Sequence, residues 1–173
     1  MAFGIDDALM TAAAGISLTD TVVRTIESYR KKGQHIDIEL LIEEVRVTAL
    51  QRIDDADEAL TQLRRTLKER DIDLNKTLQD TIASTSFWRP FETHRLKRIR
   101  RSFNALADAA YSAVDDIASL VRCRDNTKPM GIAVIDSAKT KRDLQLRLLN
   151  AKSIDDAIDL LQDELTRQKK MLK

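Results

Sequence analysis

The chain carries few side chains with the types and spacing of known catalytic or metal-binding motifs. It contains no GxSxG, no HExxH and no glycine-rich phosphate loop, and its cysteine and histidines do not lie at metal-ligand spacing. Arginines flank Cys123, and cationic neighbours favour a reactive thiolate, but a plain cysteine at a helix end is the simpler interpretation. The pairs Asp54–Asp55 and Asp115–Asp116 are helix neighbours that point in different directions. We therefore expect no catalytic centre, metal or cofactor from these residues.

An arginine and a histidine separated by four residues form the one remaining catalytic pattern, Arg89 and His94 in the segment RPFETH. This spacing resembles the R-x4-H motif of HEPN ribonucleases, which are also all-α bundles. The resemblance covers this short segment and implies that His94 acts as the base and that Arg89 steadies a phosphate. Pro90 stands where the family usually has a polar residue. The alternative is that His94 is an ordinary polar residue in the first turn of a helix.

Two long stretches repeat apolar residues every three or four positions, which places these residues on one face of a helix. The first stripe is Ile42, Val45, Ala49, Ile53, Ala56, Leu60, Leu63 and Leu67. The second stripe is Ile99, Phe103, Leu106, Ala110, Val114, Ile117 and Val121. A helix with one apolar stripe must bury that stripe against a partner. The sequence therefore predicts two long amphipathic helices, over about residues 38–70 and 90–123.

Four further helices are predicted around these two, over about residues 5–32, 74–82, 131–149 and 154–172. Asp37 and Ser153 have the positions and side chains of N-terminal caps. Strand signals are nearly absent. Extra apolar residues beside the two stripes favour a multi-helix core, although a strict seam also suits a homodimeric coiled coil. We predict one all-α domain over residues 1–173, an antiparallel up-and-down helical bundle.

The composition restricts the class of protein further. A chain of 173 residues is long enough for one sizeable core, and its 4 Gly and 2 Pro argue against a turn-rich β protein or a disordered chain. The 29 Lys and Arg nearly balance the 28 Asp and Glu, so any charged binding surface must be local. No segment approaches the ~20 apolar residues of a membrane-spanning helix, and Asp6 and Asp7 do not fit a secretory signal. We expect a cytoplasmic protein.

The predicted helix over residues 90–123 begins with basic residues, although a helix N-terminus favours acidic ones. These basic residues are Arg95, Lys97, Arg98, Arg100 and Arg101. Two interpretations are open. In the first, antiparallel packing brings Arg98–Arg101 close to the acidic residues 54–58, which neutralise them within the molecule. In the second, the basic run binds an external anion, which is a nucleic acid, an acidic lipid or an acidic protein.

The same packing leaves further basic side chains without acidic partners where the two long helices meet. We call this group the basic corner, and it supplies the candidate residues for binding an anion or a partner. It consists of Arg64, Arg65, Lys68, Arg70, Arg89, Arg95, Arg98 and Arg101. Phe87, Trp88 and Phe91 lie beside it in sequence. Such rings stack on bases in some proteins, but we expect them to close the corner as a buried plug.

The first residues include an uncharged stretch of mostly small side chains, Ala8–Thr19. Small residues let helices approach closely in a core, in lipid or between subunits. An uncharged first helix followed by long amphipathic helices resembles the layout of HeLo-type cell-death domains, and this resemblance implies that the first helix inserts into membranes. Whether the helix breaks at Gly15 stays open.

These observations predict a non-enzymatic interaction or assembly module. Its contact surfaces would be the N-terminal small-residue helix and the basic corner, and its partner would be another protein or a second copy of the chain. A nucleic acid or lipid surface is a further partner class. The two alternatives are a HEPN-like ribonuclease that uses Arg89 and His94, and a HeLo-like membrane-acting effector.

Overall fold

The structure is all-α in every part of the chain that it describes. In this computed structural model the described residues are 19–33, 35, 37–85, 90–124 and 141–173. They form helices α1 (Thr19–Lys31), α2 (Ile38–Glu69), α3 (Leu78–Thr85), α4 (Pro90–Arg124), α5 (residues 141–149) and α6 (Ile154–Leu172). No strand occurs among these residues. The predicted fold class and both predicted long helices are confirmed.

Helix α2 begins and ends where its sequence supplies the required groups. The Asp37 side chain accepts hydrogen bonds from the backbone N–H groups of Glu39 (3.0 Å) and Leu40 (3.3 Å), which satisfies donors that the first turn leaves unpaired. At the other end, Asp71 has a left-handed backbone with φ of 56°, which turns the chain away from the helix. The 32 residues of α2 span about 48 Å.

The short helix α3 begins later than the sequence predicts. The apolar spacing predicts a helix from about Leu74, whereas α3 begins at Leu78. The Thr77 side chain accepts a hydrogen bond from the backbone N–H of Asp80 (3.0 Å) and is the cap of the helix. Just before it, the Asp73 side chain accepts from a backbone N–H two residues further on, which stabilises a turn. Leu74 therefore lies in this turn and not in a helix, and its side chain is buried.

Ion pairs along α2 and α6 show that these two helices run in opposite directions. Near the C-terminal end of α2, Arg64 contacts Asp155 and Asp159 in the first turns of α6. Closer to the middle of α2, Asp54 contacts Lys169 near the end of α6. The contacts advance along α6 as they recede along α2, which is the pattern of an antiparallel pair.

Helices α4 and α5 continue the alternation of directions. Arg70, directly after α2, contacts Glu92 in the first turn of α4 at 3.7 Å, so α4 returns along α2. Lys141, the first described residue of α5, contacts Asp108 of α4 at 3.3 Å. The last turn of α5 lies beside Phe103, earlier in α4, so α5 runs antiparallel to α4. Helices α2, α4, α5 and α6 therefore alternate in direction, as an up-and-down bundle requires.

The core lies mainly between α2, α4 and α6. Its largest fully buried side chains are Ile53, Leu60, Leu63, Leu96, Ile99, Leu106, Ile154, Ile158 and Leu161. Every residue of the first predicted stripe is buried. In the second stripe Ile99, Phe103 and Leu106 are buried, and the burial of its later side chains lies outside the description. The described residues of the second stripe pack in one core with the first stripe, as a helical bundle requires.

Helix α1 packs against the first turns of α2. Ile26 contacts the edge of the core, and Tyr29 lies in a groove beside Glu44. Partial burial, followed by the charges of Glu44 and Asp37, raises the pKa of Tyr29. Gly33 ends this segment with φ of 62°, a left-handed conformation that glycine adopts without a steric penalty.

The first turn of α6 is held by a side-chain cap and by the loop that follows α2. The Ser153 side chain accepts a hydrogen bond from the backbone N–H of Asp156 (3.0 Å), as predicted. The backbone N–H of Ile154 donates to the carbonyl oxygen of Lys76 (2.9 Å), and the backbone N–H of Asp155 donates to the carbonyl oxygen of Leu74 (3.2 Å). The loop over residues 70–77 is therefore tied to the start of α6.

Replacement of Ser153 by alanine is expected to lower the free energy of unfolding by about 1 kcal/mol, because the backbone N–H of Asp156 loses its acceptor. Urea unfolding followed by circular dichroism measures this change. Thr48→Ala is the matched control, since Thr48 lies inside α2 and its hydroxyl donates only to a carbonyl of its own helix. The control is expected to stay within about 0.5 kcal/mol of the parent. Equal losses in the two variants would contradict the capping role of Ser153.

Candidate interaction surface

Arg64 faces α6 and is not part of an external basic surface. Its guanidinium donates hydrogen bonds to Asp155 (2.6 Å), Asp159 and Gln162 (3.3 Å). Partial burial lowers the pKa of Arg64, but the hydrogen bonds and charges of Asp159 and Asp155 outweigh it, so the pKa is raised. The prediction that Arg64 stays without acidic partners is wrong.

The rest of the basic corner on α2 is spread over several faces. Arg70 contacts Glu92, so the prediction that it has no acidic partner is also wrong. Arg65 and Lys68 are exposed, and neither forms an ion pair within the described ranges. Successive helix residues are turned by about 100°, so side chains at 64, 65, 68 and 70 cannot share one face. These residues are close together in sequence, but the rotation of the helix separates their side chains.

The acidic run of α2 does not neutralise the basic run of α4. Asp54 forms its ion pair with α6, and Asp57 accepts a hydrogen bond from Gln162 of α6 at 2.8 Å. The interpretation that residues 54–58 answer residues 98–101 is wrong, because Asp54 and Asp57 lie on the side of α2 that faces α6. Within the described ranges, no ion pair joins these two runs.

The outer face of α4 carries a row of exposed basic side chains, which we call the basic stripe: His94, Lys97 and Arg101. Their spacing of three and four residues places them on one face of the helix, opposite the buried stripe. None of them forms an ion pair with another described residue. Arg95 and Arg98 flank the stripe, are half-buried and have contacts of their own.

The acidic residues of α4 near the basic stripe are engaged elsewhere. Glu92 contacts Arg70. Asp108 contacts Lys141 and accepts a hydrogen bond from Gln145 at 2.7 Å, both on α5. Within the described part of the chain, the basic stripe therefore has no acidic side chain to neutralise it, and it faces solvent over roughly two helical turns.

Phe91 lies at the start of α4, just before the basic stripe, and its side chain is directed into solvent. The residue is 90% exposed, so the prediction that it forms part of a buried plug is wrong. Glu92 beside it is level with the end of α2, and no described helix covers the first turn of α4 on the side of Phe91. Phe87 and Trp88, the other predicted plug residues, lie outside the described residues.

A cavity of about 300 Å³ lies between the start of α3, the end of α5 and the neighbouring part of α4. Its wall includes the capping residues Thr77 and Ser153, the carboxylate of Asp80, and Arg100 of α4. One acidic and one basic residue, Asp80 and Arg100, thus line the same cavity. The backbone N–H groups at the start of α6 already donate hydrogen bonds to the loop over residues 70–77. The cavity belongs to the junction of these helices.

Several predicted site residues cannot be compared with the structure. His94 is exposed in the first turns of α4, whereas Arg89, its partner in the ribonuclease hypothesis, lies outside the described residues. That hypothesis stays a prediction. The stretch Ala8–Thr19 falls outside the description up to residue 18, including Gly15, so its predicted contact and membrane roles also stay predictions.

Within residues 19–33, 35, 37–85, 90–124 and 141–173, no group of three or more His, Cys, Asp or Glu side chains is arranged to hold a metal ion. In the same ranges, no helix combines the length and the apolar character that crossing a membrane demands. Comparison of the chain with protein families, with curated proteins and with solved structures gave no match.

Proposed function

We propose that this protein is a non-enzymatic interaction module that binds an acidic protein surface through the basic stripe of α4. The observation that carries the proposal is the row His94, Lys97 and Arg101, exposed on one helix face without acidic partners among the described residues. Phe91, nearly fully exposed at the start of the same helix, adds an apolar contact. Aromatic and arginine side chains are enriched in the binding surfaces of proteins.

The basic stripe does not support the fold in which it lies. Lys97 and Arg101 lie in the second and third turns of α4, beyond the first turn in which the helix dipole acts on charged side chains. Exposed charges add little stability even when they are paired. The two side chains therefore add little to the stability of the fold, which supports a role in binding.

A compact acidic protein fits this surface better than a nucleic acid does. The chain has a formal net charge of only +1, so it gives little long-range attraction to a polyanion. The basic stripe has only three basic side chains on one helix face. Two or three carboxylates on a compact surface are sufficient to contact it, whereas a long phosphate backbone requires a more extended basic surface.

A pull-down with three forms of the purified protein tests the proposal. The bait forms are the parent, the variant Lys97→Glu with Arg101→Glu, and the control Arg65→Glu with Lys68→Glu, which changes the net charge equally on other faces. The lysate is treated with nuclease, and retained proteins are identified, purified and titrated calorimetrically. We expect the parent and the control to bind the same protein, and the α4 variant to bind it at least about tenfold more weakly.

Two results would contradict the proposal. One is that no purified protein binds the parent more tightly than it binds the α4 variant. The other is that Arg65→Glu with Lys68→Glu reduces binding as strongly as the α4 substitutions, since net charge rather than the basic stripe would then explain the effect. Circular dichroism of each bait confirms that the helical content is retained.

A further inference from the structure

We infer that the acidic surface bound by the basic stripe is the outer face of α2 in a second copy of the same chain. This inference rests on the proposed function and names its partner. The relevant residues on α2 are Asp55 and Glu58, with Gln51 and Gln62 on either side, and we call them the acidic stripe. The chain thus carries both halves of a charge-complementary contact.

The acidic stripe faces away from the core of its own copy. Residues 51, 55, 58 and 62 follow one another at steps of four, three and four, which places them on one helix face. This face lies opposite the buried residues Leu60 and Leu63. Gln51 and Glu58 are exposed, and the Asp55 side chain is 44% exposed.

The carboxylates of the acidic stripe are weakly engaged within their own copy. Asp55 lies 4.0 Å from the guanidinium of Arg52 and accepts a hydrogen bond from Gln51 at 3.0 Å, both in the same helix. Glu58 accepts a hydrogen bond from Gln62 at 3.3 Å and forms no ion pair within the described ranges. Little stabilisation is therefore lost when these contacts are replaced by contacts with a lysine or arginine of another copy.

The spacing of the two stripes matches. Lys97 and Arg101 are four residues apart, which is about 6 Å along a helix, and Asp55 and Glu58 are three apart, which is about 4.5 Å. Two ion pairs between α4 of one copy and α2 of the next can therefore form together. The near-neutral net charge of +1 means that whole copies do not repel each other strongly.

Sedimentation velocity of the purified full chain tests this inference with two complementary variants. The basic-stripe variant is Lys97→Glu with Arg101→Glu, and the acidic-stripe variant is Asp55→Lys with Glu58→Lys. We expect the parent to associate at about 0.05 M salt and to dissociate as salt approaches about 0.5 M, where the Debye length is short. Each variant alone is expected to associate at least about tenfold more weakly.

The mixture of the two variants gives the decisive result. In the mixture, the unchanged acidic stripe of one variant can bind the unchanged basic stripe of the other, and the two reversed stripes are also complementary. We therefore expect association to return when the two variants are combined in equal amounts. Arg142→Glu with Arg147→Glu, two exposed arginines of α5, is the control and is expected to associate like the parent. Circular dichroism shows whether each variant remains folded.

The inference is overturned if the parent is a monomer at every concentration, if its association is insensitive to both salt and charge reversal, or if the mixture does not restore association. A monomeric parent that still captures another protein through Lys97 and Arg101 would leave the proposed function standing without this partner. A monomeric parent that binds a labelled single-stranded RNA in the same charge-dependent way would overturn both proposals.

Discussion

Replacement of Leu60 by alanine is expected to lower the free energy of unfolding by about 3 kcal/mol. Leu60 has none of its surface exposed and belongs to the cluster in which α2 meets α4 and α6. Alanine removes buried apolar surface and leaves a cavity that the neighbouring helices close only in part. For a domain of this size, the loss corresponds to a decrease in Tm of roughly 10 °C. Thermal unfolding followed by circular dichroism measures it.

Leu40→Ala is the matched control for the core substitution. Leu40 lies in the same helix and loses the same atoms, but it is 48% exposed, so its replacement is expected to cost less than about 1 kcal/mol. A similar loss at both positions would contradict the orientation of α2, since it would mean that Leu60 is no more buried than Leu40.

Replacement of Arg64 by alanine is expected to lower the free energy of unfolding by about 1 to 2 kcal/mol. Arg64 donates to two carboxylates and to Gln162 across the contact between α2 and α6, and its side chain is 25% exposed. The larger values for charge-assisted hydrogen bonds are reduced here, because Asp155 and Asp159 remain 43% and 63% exposed. Urea unfolding at low and high salt measures the effect, which salt is expected to weaken.

Arg65→Ala provides the control for Arg64, since it removes the same side chain one position further along α2 where it is exposed and forms no ion pair within the described ranges. We expect a change within about 0.5 kcal/mol. A double-mutant cycle of Arg64→Ala with Asp155→Ala is expected to show a coupling energy of about 1 kcal/mol. Additive effects in this cycle would show that the two side chains do not interact in solution.

Hydrophobic spacing was sufficient to predict most of the fold. Every residue of the stripe from Ile42 to Leu67 is buried. A spacing of three to four residues places all of them on one helix face, so the helix must turn that face towards the core. The caps Asp37 and Ser153 were predicted for a similarly local reason, since a short side-chain acceptor before a helix can bond only to its first N–H groups. The start of α3 was misplaced because Thr77 and Asp73 favour a turn before the helix.

The interaction surface was predicted only in part, because it depends on how the helices are rotated against one another. Arg64 and Arg65 are neighbours in sequence, yet one contacts α6 and the other faces solvent. The basic residues of α4 were identified from their conflict with the helix dipole. The acidic stripe was overlooked, although the steps between residues 51, 55, 58 and 62 placed polar side chains on one face of α2 opposite its apolar stripe.

We have proposed that the basic stripe of α4 binds the acidic stripe of α2 in another copy. Carbodiimide cross-linking tests it most directly, because this reagent joins a lysine to a carboxylate only when the two groups are in contact. Equal amounts of unlabelled and ¹⁵N-labelled protein are mixed, cross-linked at low salt and analysed by mass spectrometry. We predict mixed-isotope links that join Lys97 to Asp55 or Glu58. Links between copies that avoid both stripes, or no links between copies at all, would contradict the account.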